Sequence, residues 1–324
     1  MPAILTHDFF GNDALSTVSS QVSLMSKDAH DAFLLGNQGP DPLFYLAADP
    51  RISANSRVGD LMHHARPAKL LCSLRDALSM LTKAERPVGE AYAAGFLCHY
   101  LLDTTMHPLV YAKEYELCDA GIDGLDRSDG PRVHAEVERD LDEMVLYEKR
   151  HETVASYRPY REVLRASDAT LAIIDKLYFY MNLWTYNKTL ELDTYTHAVK
   201  SFRFVQRAFY SPKGRLAAAL STIEGLFVKR MRYSLVRSMS HRNRASAESP
   251  FANKEHLAWT NPFTGEQSTE SFWDLYEEAL EQVFDAEQLF FSDGFDEAAA
   301  ERLTGNRNFS GMPVDPDDMS EPEE

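Results

Sequence analysis

The sequence predicts an all-α protein, a multi-helix bundle with a helical C-terminal extension. Three observations carry that prediction. Apolar residues recur at three- and four-residue steps along most of the chain, strand-type alternation is scarce, and no repeat of fixed period is found. With 324 residues, 44% hydrophobic and 26% charged, the composition is that of a globular chain able to bury a sizeable core.

Each element has its own signal. Residues 12–33 read as a first helix, with Asn12 or Asp13 as its cap. The turn-rich run Gly36-Asn37-Gln38-Gly39-Pro40-Asp41-Pro42 follows, and irregular chain continues to about Asp60. Pro67 opens the next helix, whose Leu70, Leu71, Leu74, Leu78 and Leu81 share a face. Pro87 opens a third helix through Tyr92, Phe96, His99 and Asp103, ending near Pro108. Residues 121–131 form a polar loop, and 132–151 a charged helix with a narrow apolar face. Several long helices follow from Asp168, with aromatic faces around Tyr178-Phe179-Tyr180, Trp184 and Phe202-Arg203-Phe204. Residues 245–267 read as loop and 271–291 as a late helix. The expected organisation is a helical domain over 1–245, a loop and helix packed on it over 246–310, and an acidic disordered tail over 311–324.

Lys and Arg number 33 against 50 Asp and Glu, a formal charge of −17. Six of the acids lie in the last ten residues, which leaves about −11 for the body. That balance argues against a duplex nucleic-acid partner, which needs a basic footprint. No run of eighteen uncharged apolar residues is present, so no transmembrane segment is expected. The start, Met1 to Asp8, has neither the basic head nor the apolar run of a secretory signal. Cys72, Cys98 and Cys118 form no CxxC and suit reduced thiols, so the expected location is cytoplasmic.

The chemistry concentrates in 91–108. His99, Asp103 and His107 stand at i, i+4 and i+8 on an otherwise apolar helix, so their side chains fall on one stripe. A carboxylate among Leu, Phe and Met costs several kcal/mol unless a cation compensates it. His99 and His107 are roughly 12 Å apart along the axis at 1.5 Å per residue, too far to share one ion easily. A metal reading therefore needs at least two ions with Asp103 between them; an Asp–His polar seam between helices would produce the same pattern. His134-Ala135-Glu136-Val137-Glu138 adds a second i, i+4 pair of zinc-ligand types, with Glu136 pointing elsewhere. Asp41 follows Gly39-Pro40, where it would equally suit a turn cap, and His63-His64 offers two adjacent imidazoles of which one can face a given point.

In order, these pieces are an N-terminal His, an Asp after Gly-Pro, a His, His-x-x-x-Asp, a further His and His-x-x-x-Glu. The set resembles the zinc-dependent phospholipase C family, relatives of bacterial lecithin-hydrolysing enzymes and of fungal single-strand nucleases. The likeness covers residues 2–140 by motif and extends loosely to His256-Leu257-Ala258-Trp259-Thr260-Asn261-Pro262. It implies two or three Zn2+ ions per chain. Asp41, His63, His99 and Asp103 would hold one; Asp103 would bridge to a second with His7 and the mature N-terminal residue; His107, His134 and Glu138 would hold the third. Loss of Met1 would make Pro2 that terminal ligand. One spacing departs from the secreted relatives: Asp103 and His107 stand closer in sequence than the matching pair there.

What the resemblance implies is hydrolysis of phosphoric esters, with Asp41 as general base as well as ligand and a phospholipid headgroup as the leading substrate. Phe44 and Tyr45 would line a groove or simply fill the core. The basic stretch from Lys229 and Arg230 through Arg237 to Arg242 and Arg244 would face anionic lipid or balance the acidic body. The alternatives are a nuclease or phosphomonoesterase built on the same cluster, and a non-catalytic helical binding protein on the same scaffold.

Overall fold

The computed structural model describes residues 3–48, 57–216, 218–219, 222, 224 and 239–317, and these are predominantly helical. In chain order the helices are α1 (Ile4–Val18), α2 (Lys27–Gly36), a 3-10 helix (Asp41–Ala48), α3 (Val58–His64), α4 (Pro67–Ala77), α5 (Arg86–Cys118), α6 (Gly130–Arg150), α7 (Pro159–Glu162), α8 (Asp168–Tyr186), α9 (Thr194–Phe209), α10 (Phe272–Phe290) and α11 (Glu297–Thr304). The one named sheet among the described residues is a hairpin in which β1 (Trp259–Thr260) pairs antiparallel with β2 (Gln267–Ser268). The all-α expectation holds.

Two expected boundaries are corrected. The single helix over 12–33 is two: α1 starts eight residues earlier, and α2 starts afresh at Lys27. Ser26 caps α2 by accepting the Ala29 N–H at 3.1 Å, and Asp28 complements the positive end of the helix dipole. The helix expected to stop near Pro108 runs on to Cys118 with Pro108 inside it. Proline deletes one backbone donor there, and burial of the flanking Leu109 and Val110 outweighs that loss.

The chain divides into two compact units. One comprises Met1–Phe9, Met106–Val163 and Phe204–Tyr276; the other Phe10–Thr105, Leu164–Arg203 and Glu277–Glu324. In the first, Asp142 is fully buried and accepts the Leu5 N–H at 3.0 Å, the Thr6 N–H at 2.8 Å and the Thr6 hydroxyl at 2.6 Å. A carboxylate thus satisfies donors that the first turn of α1 leaves open, and the His241 imidazole meets the same carboxylate at 2.9 Å. Arg242 and Arg244 pair with Asp140, and Arg242 also with Glu143, so these members of the basic stretch are neutralised. Lys229, Arg230, Arg232 and Arg237 lie outside the described residues.

In the second unit, α4 packs against α8 and α11. Helix α2 crosses α5 so closely that a Cβ on Gly95 would lie 2.0 Å from the Phe33 carbonyl oxygen. This approach sets the Asn37 carbonyl beside His99 (3.1 Å to Nδ1). Residues 311–317 are held by the Val314 N–H on the Asn306 carbonyl at 2.9 Å and by an Arg66–Asp317 ion pair at 3.3 Å; residues 318–324 lie outside the described set.

Candidate metal centres

In the second unit, Asp41 opens the 3-10 helix immediately after Gly39-Pro40. Gly39 has φ +47°, and a Cβ there would stand 2.2 Å from Cδ2 of His99; only glycine lets this turn lie on the imidazole. The Gly39 carbonyl accepts the Tyr178 hydroxyl at 2.8 Å, with the hydroxyls of Tyr92 and Tyr195 each at 3.3 Å. Burial, above all, pushes all three phenols well above their ordinary value, which keeps them protonated and able to donate. The backbone next to Asp41 is therefore pinned from within the core.

Four ligand-type side chains converge there, each 6% exposed or less. His63 on α3 has Nδ1 2.7 Å from the Gly59 carbonyl oxygen and Nε2 2.9 Å from Oδ1 of Asp41. His99 on α5 has Nδ1 3.1 Å from the Asn37 carbonyl oxygen, with Nε2 3.2 Å from Oδ2 of Asp103 and 3.8 Å from Oδ1 of Asp41. A carbonyl oxygen only accepts, so both Nδ1 atoms carry the proton and donate it. In a neutral ring each Nε2 then presents a lone pair to a carboxylate oxygen. Lone pair against anion is repulsive in a buried site, so a proton on Nε2 or a metal cation must stand between them.

His64 is the other member of the adjacent pair, and its Nδ1 turns instead to the Asp60 carbonyl at 2.8 Å. Phe44 packs on His63 with centroids 4.7 Å apart, whereas Tyr45 is core, stacked on Phe202 at 3.9 Å. Phe309, 1% exposed, covers His63 and His99 at 5.0 and 5.6 Å between centroids and donates its N–H to the His63 carbonyl at 3.1 Å.

The first unit holds another cluster. Nε2 of His107 on α5 and Nε2 of His134 on α6 stand 3.5 and 3.4 Å from Oε1 of the buried Glu138. Nδ1 of His134 lies 3.0 Å from Oε2 of Glu114. Burial would raise the Glu138 carboxyl, but the positive charge around it, first the amino terminus and then the imidazoles of His134 and His107, holds it well below the usual range. Burial would likewise lower His134, and Glu138 and Glu114 together push it up to about 9. Glu136 points away and pairs with Arg139 and Arg242.

The donor sets suit zinc. Tetrahedral ligands roughly 2.0–2.1 Å from a zinc ion are about 3.3 Å from each other, and the ligand-atom separations here run from 2.9 to 3.8 Å. His63, His99 and Asp103 form one group whose ligand atoms all lie within 4.8 Å of one another; His107, His134 and Glu138 form another. His7 is buried on α1 in the first unit, and Pro2 lies outside the described residues.

Glu114, Phe309 and the tyrosine trio sit at these centres without a motif to announce them. Glu114 stands seven residues after His107 and Tyr92 seven before His99, two helical turns that keep both on the ligand-bearing stripe of α5. That step was the available signal for two of them; Phe309 has none.

The zinc dependent phospholipase C family matches residues 6–187, more than half of the chain. The matched span includes His7, Asp41, His63, His99, Asp103, His107, His134 and Glu138, and excludes both Pro2 and the 256–262 stretch. No curated protein and no solved structure matches. Among the described residues no helix is long and apolar enough to cross a membrane. The extent of the family match, falling on the span that carries both histidine–carboxylate clusters, makes this chain a member of the zinc dependent phospholipase C family.

Proposed function

We propose that this family member is a zinc-dependent phosphoric ester hydrolase of phospholipase C type, acting on the phosphodiester of a lipid headgroup. The observation that carries the reading is the pair of buried imidazoles whose Nε2 atoms are turned to carboxylate oxygens while both Nδ1 atoms are committed to backbone carbonyls. Asp41, His63, His99 and Asp103 would hold one zinc, and His107, His134 and Glu138 another. Pro2 and His7 stand as ligands on the family resemblance.

Zinc, when bound, supplies a Lewis acid that neutralises charge on a phosphate ester and makes water reactive near neutral pH. The chain's own groups do the rest. The Gly59 and Asn37 carbonyls fix the tautomer and orientation of His63 and His99. Oδ1 of Asp41 faces both imidazoles, so Oδ2 is the atom assigned to take the proton from the attacking water. Phe309 and Phe44 exclude water from one side of His63 and so strengthen electrostatic interactions within the site. A cytoplasmic location would restrict the lipid substrate to an inner leaflet or soluble lysolipid.

The test is hydrolysis of a chromogenic choline-phosphate diester, run beside single-stranded DNA and a simple phosphomonoester, with wild type and Asp103→Asn. Turnover of the choline ester, reduced by about 100-fold or more in the variant with loss of zinc, supports the reading. Turnover confined to DNA assigns a nuclease instead. A chain without zinc or turnover is a binding protein on the same scaffold.

A further inference from the structure

The structure assigns Glu114 as a positioning residue that sets the tautomer of His134, with Gly130 as the clearance that lets it do so. This rests on the reading that His107, His134 and Glu138 hold zinc. Glu114, 6% exposed, sits toward the end of α5, and its Oε2 lies 3.0 Å from Nδ1 of His134. A carboxylate can only accept, so Nδ1 carries a proton, and in the neutral ring that a metal ion would bind the lone pair falls on Nε2, on the side where Glu138 Oε1 stands 3.4 Å away. The two ring nitrogens face opposite ways. Glu114 therefore stands behind the imidazole and orients it rather than sharing an ion with Glu138, as outer carboxylates do behind ligating histidines.

The second observation comes from α6. Gly130 is its first residue, and a Cβ built there would lie 2.5 Å from Oε1 of Glu114. Any side chain at that position displaces the carboxylate that His134 leans on. The N-cap Asp129 makes no side-chain capping bond, so the positive end of α6 also favours a carboxylate there. Nothing about helix formation asks for glycine at this place, since alanine has the higher propensity. The missing side chain is explained by the room Glu114 needs.

Zinc affinity, measured by competition against a chromogenic chelator, tests this with Glu114→Ala, Glu114→Gln, Gly130→Ala, the double variant and His134→Ala. The expected result is a loss of about 10- to 100-fold in affinity for one zinc in Glu114→Ala and in Gly130→Ala, at unchanged melting temperature in the latter. The double variant should be no worse than either single change, because both remove the same contact. Glu114→Gln should stay near wild type, since its amide oxygen still accepts from Nδ1. Wild-type affinity in both Glu114→Ala and Gly130→Ala, with zinc lost in His134→Ala, overturns the role of Glu114 while leaving the zinc site standing. Unchanged zinc in His134→Ala overturns the site itself and the inference with it. If Glu114→Ala does not fold, Gly130→Ala decides alone.

Discussion

Glu287 offers a measurement whose size can be worked out in advance. Its side chain is fully buried on α10, and neither carboxyl oxygen has a hydrogen-bond partner. Burial pushes its pKa up to about 8 from an ordinary 4.5, and its field in turn adds to the burial that raises the Cys98 thiol. The folded chain thus keeps a proton that the unfolded chain releases above pH 4.5. Stability from this group is greatest at and below the lower value and falls by about 1.4 kcal/mol per pH unit until about pH 8, at most about 5 kcal/mol in all. Against a total of about 5–15 kcal/mol that is a large share. Glu287→Gln keeps the shape and removes the ionisation. Urea unfolding of both proteins from pH 4.5 to 9 should show the variant gaining on wild type up to about pH 8 and levelling off above it. Parallel curves would refute the claim that this acid is buried neutral.

Other changes read the centres directly. Gly39→Ala should cost about 1–2 kcal/mol in backbone strain alone and displace the His99 ring from a Cβ position 2.2 Å away, so the chain should lose one zinc by elemental analysis. Phe309→Ala, removing a ring packed on His63, His99 and Tyr100, should cost about 3–5 kcal/mol in chemical denaturation. Tyr178→Phe removes the 2.8 Å bond to the Gly39 carbonyl and should cost about 1 kcal/mol with the zinc count unchanged. His63→Ala should lower that count and His64→Ala should not, since His64 is turned to the Asp60 carbonyl.

Periodicity made the helical class legible, because apolar spacing reports burial directly. The clusters were legible as residue types in order: an aspartate among Leu, Phe and Met on α5 demands a cation or hydrogen-bond donors to compensate it. Boundaries were less so. The run from Asn12 to Phe33 keeps a helical pattern through Ser19 to Ser26, and only the Ser26 cap with Asp28 behind it marks the restart. Pro108 reads as a stop because the local cost is visible in sequence while the burial of Leu109 and Val110 is not. Phe309 reaches His63 across 246 residues of chain, a closure that no local pattern encodes.

Everything proposed for these centres requires cations between the imidazoles and the carboxylates. Anomalous diffraction at the zinc absorption edge, on crystals grown without chelator, tests it most directly. A peak is expected among Asp41, His63, His99 and Asp103 and another among His107, His134 and Glu138. Both positions without anomalous signal in zinc-containing buffer, with His63 in direct hydrogen bond to Asp41, would contradict it.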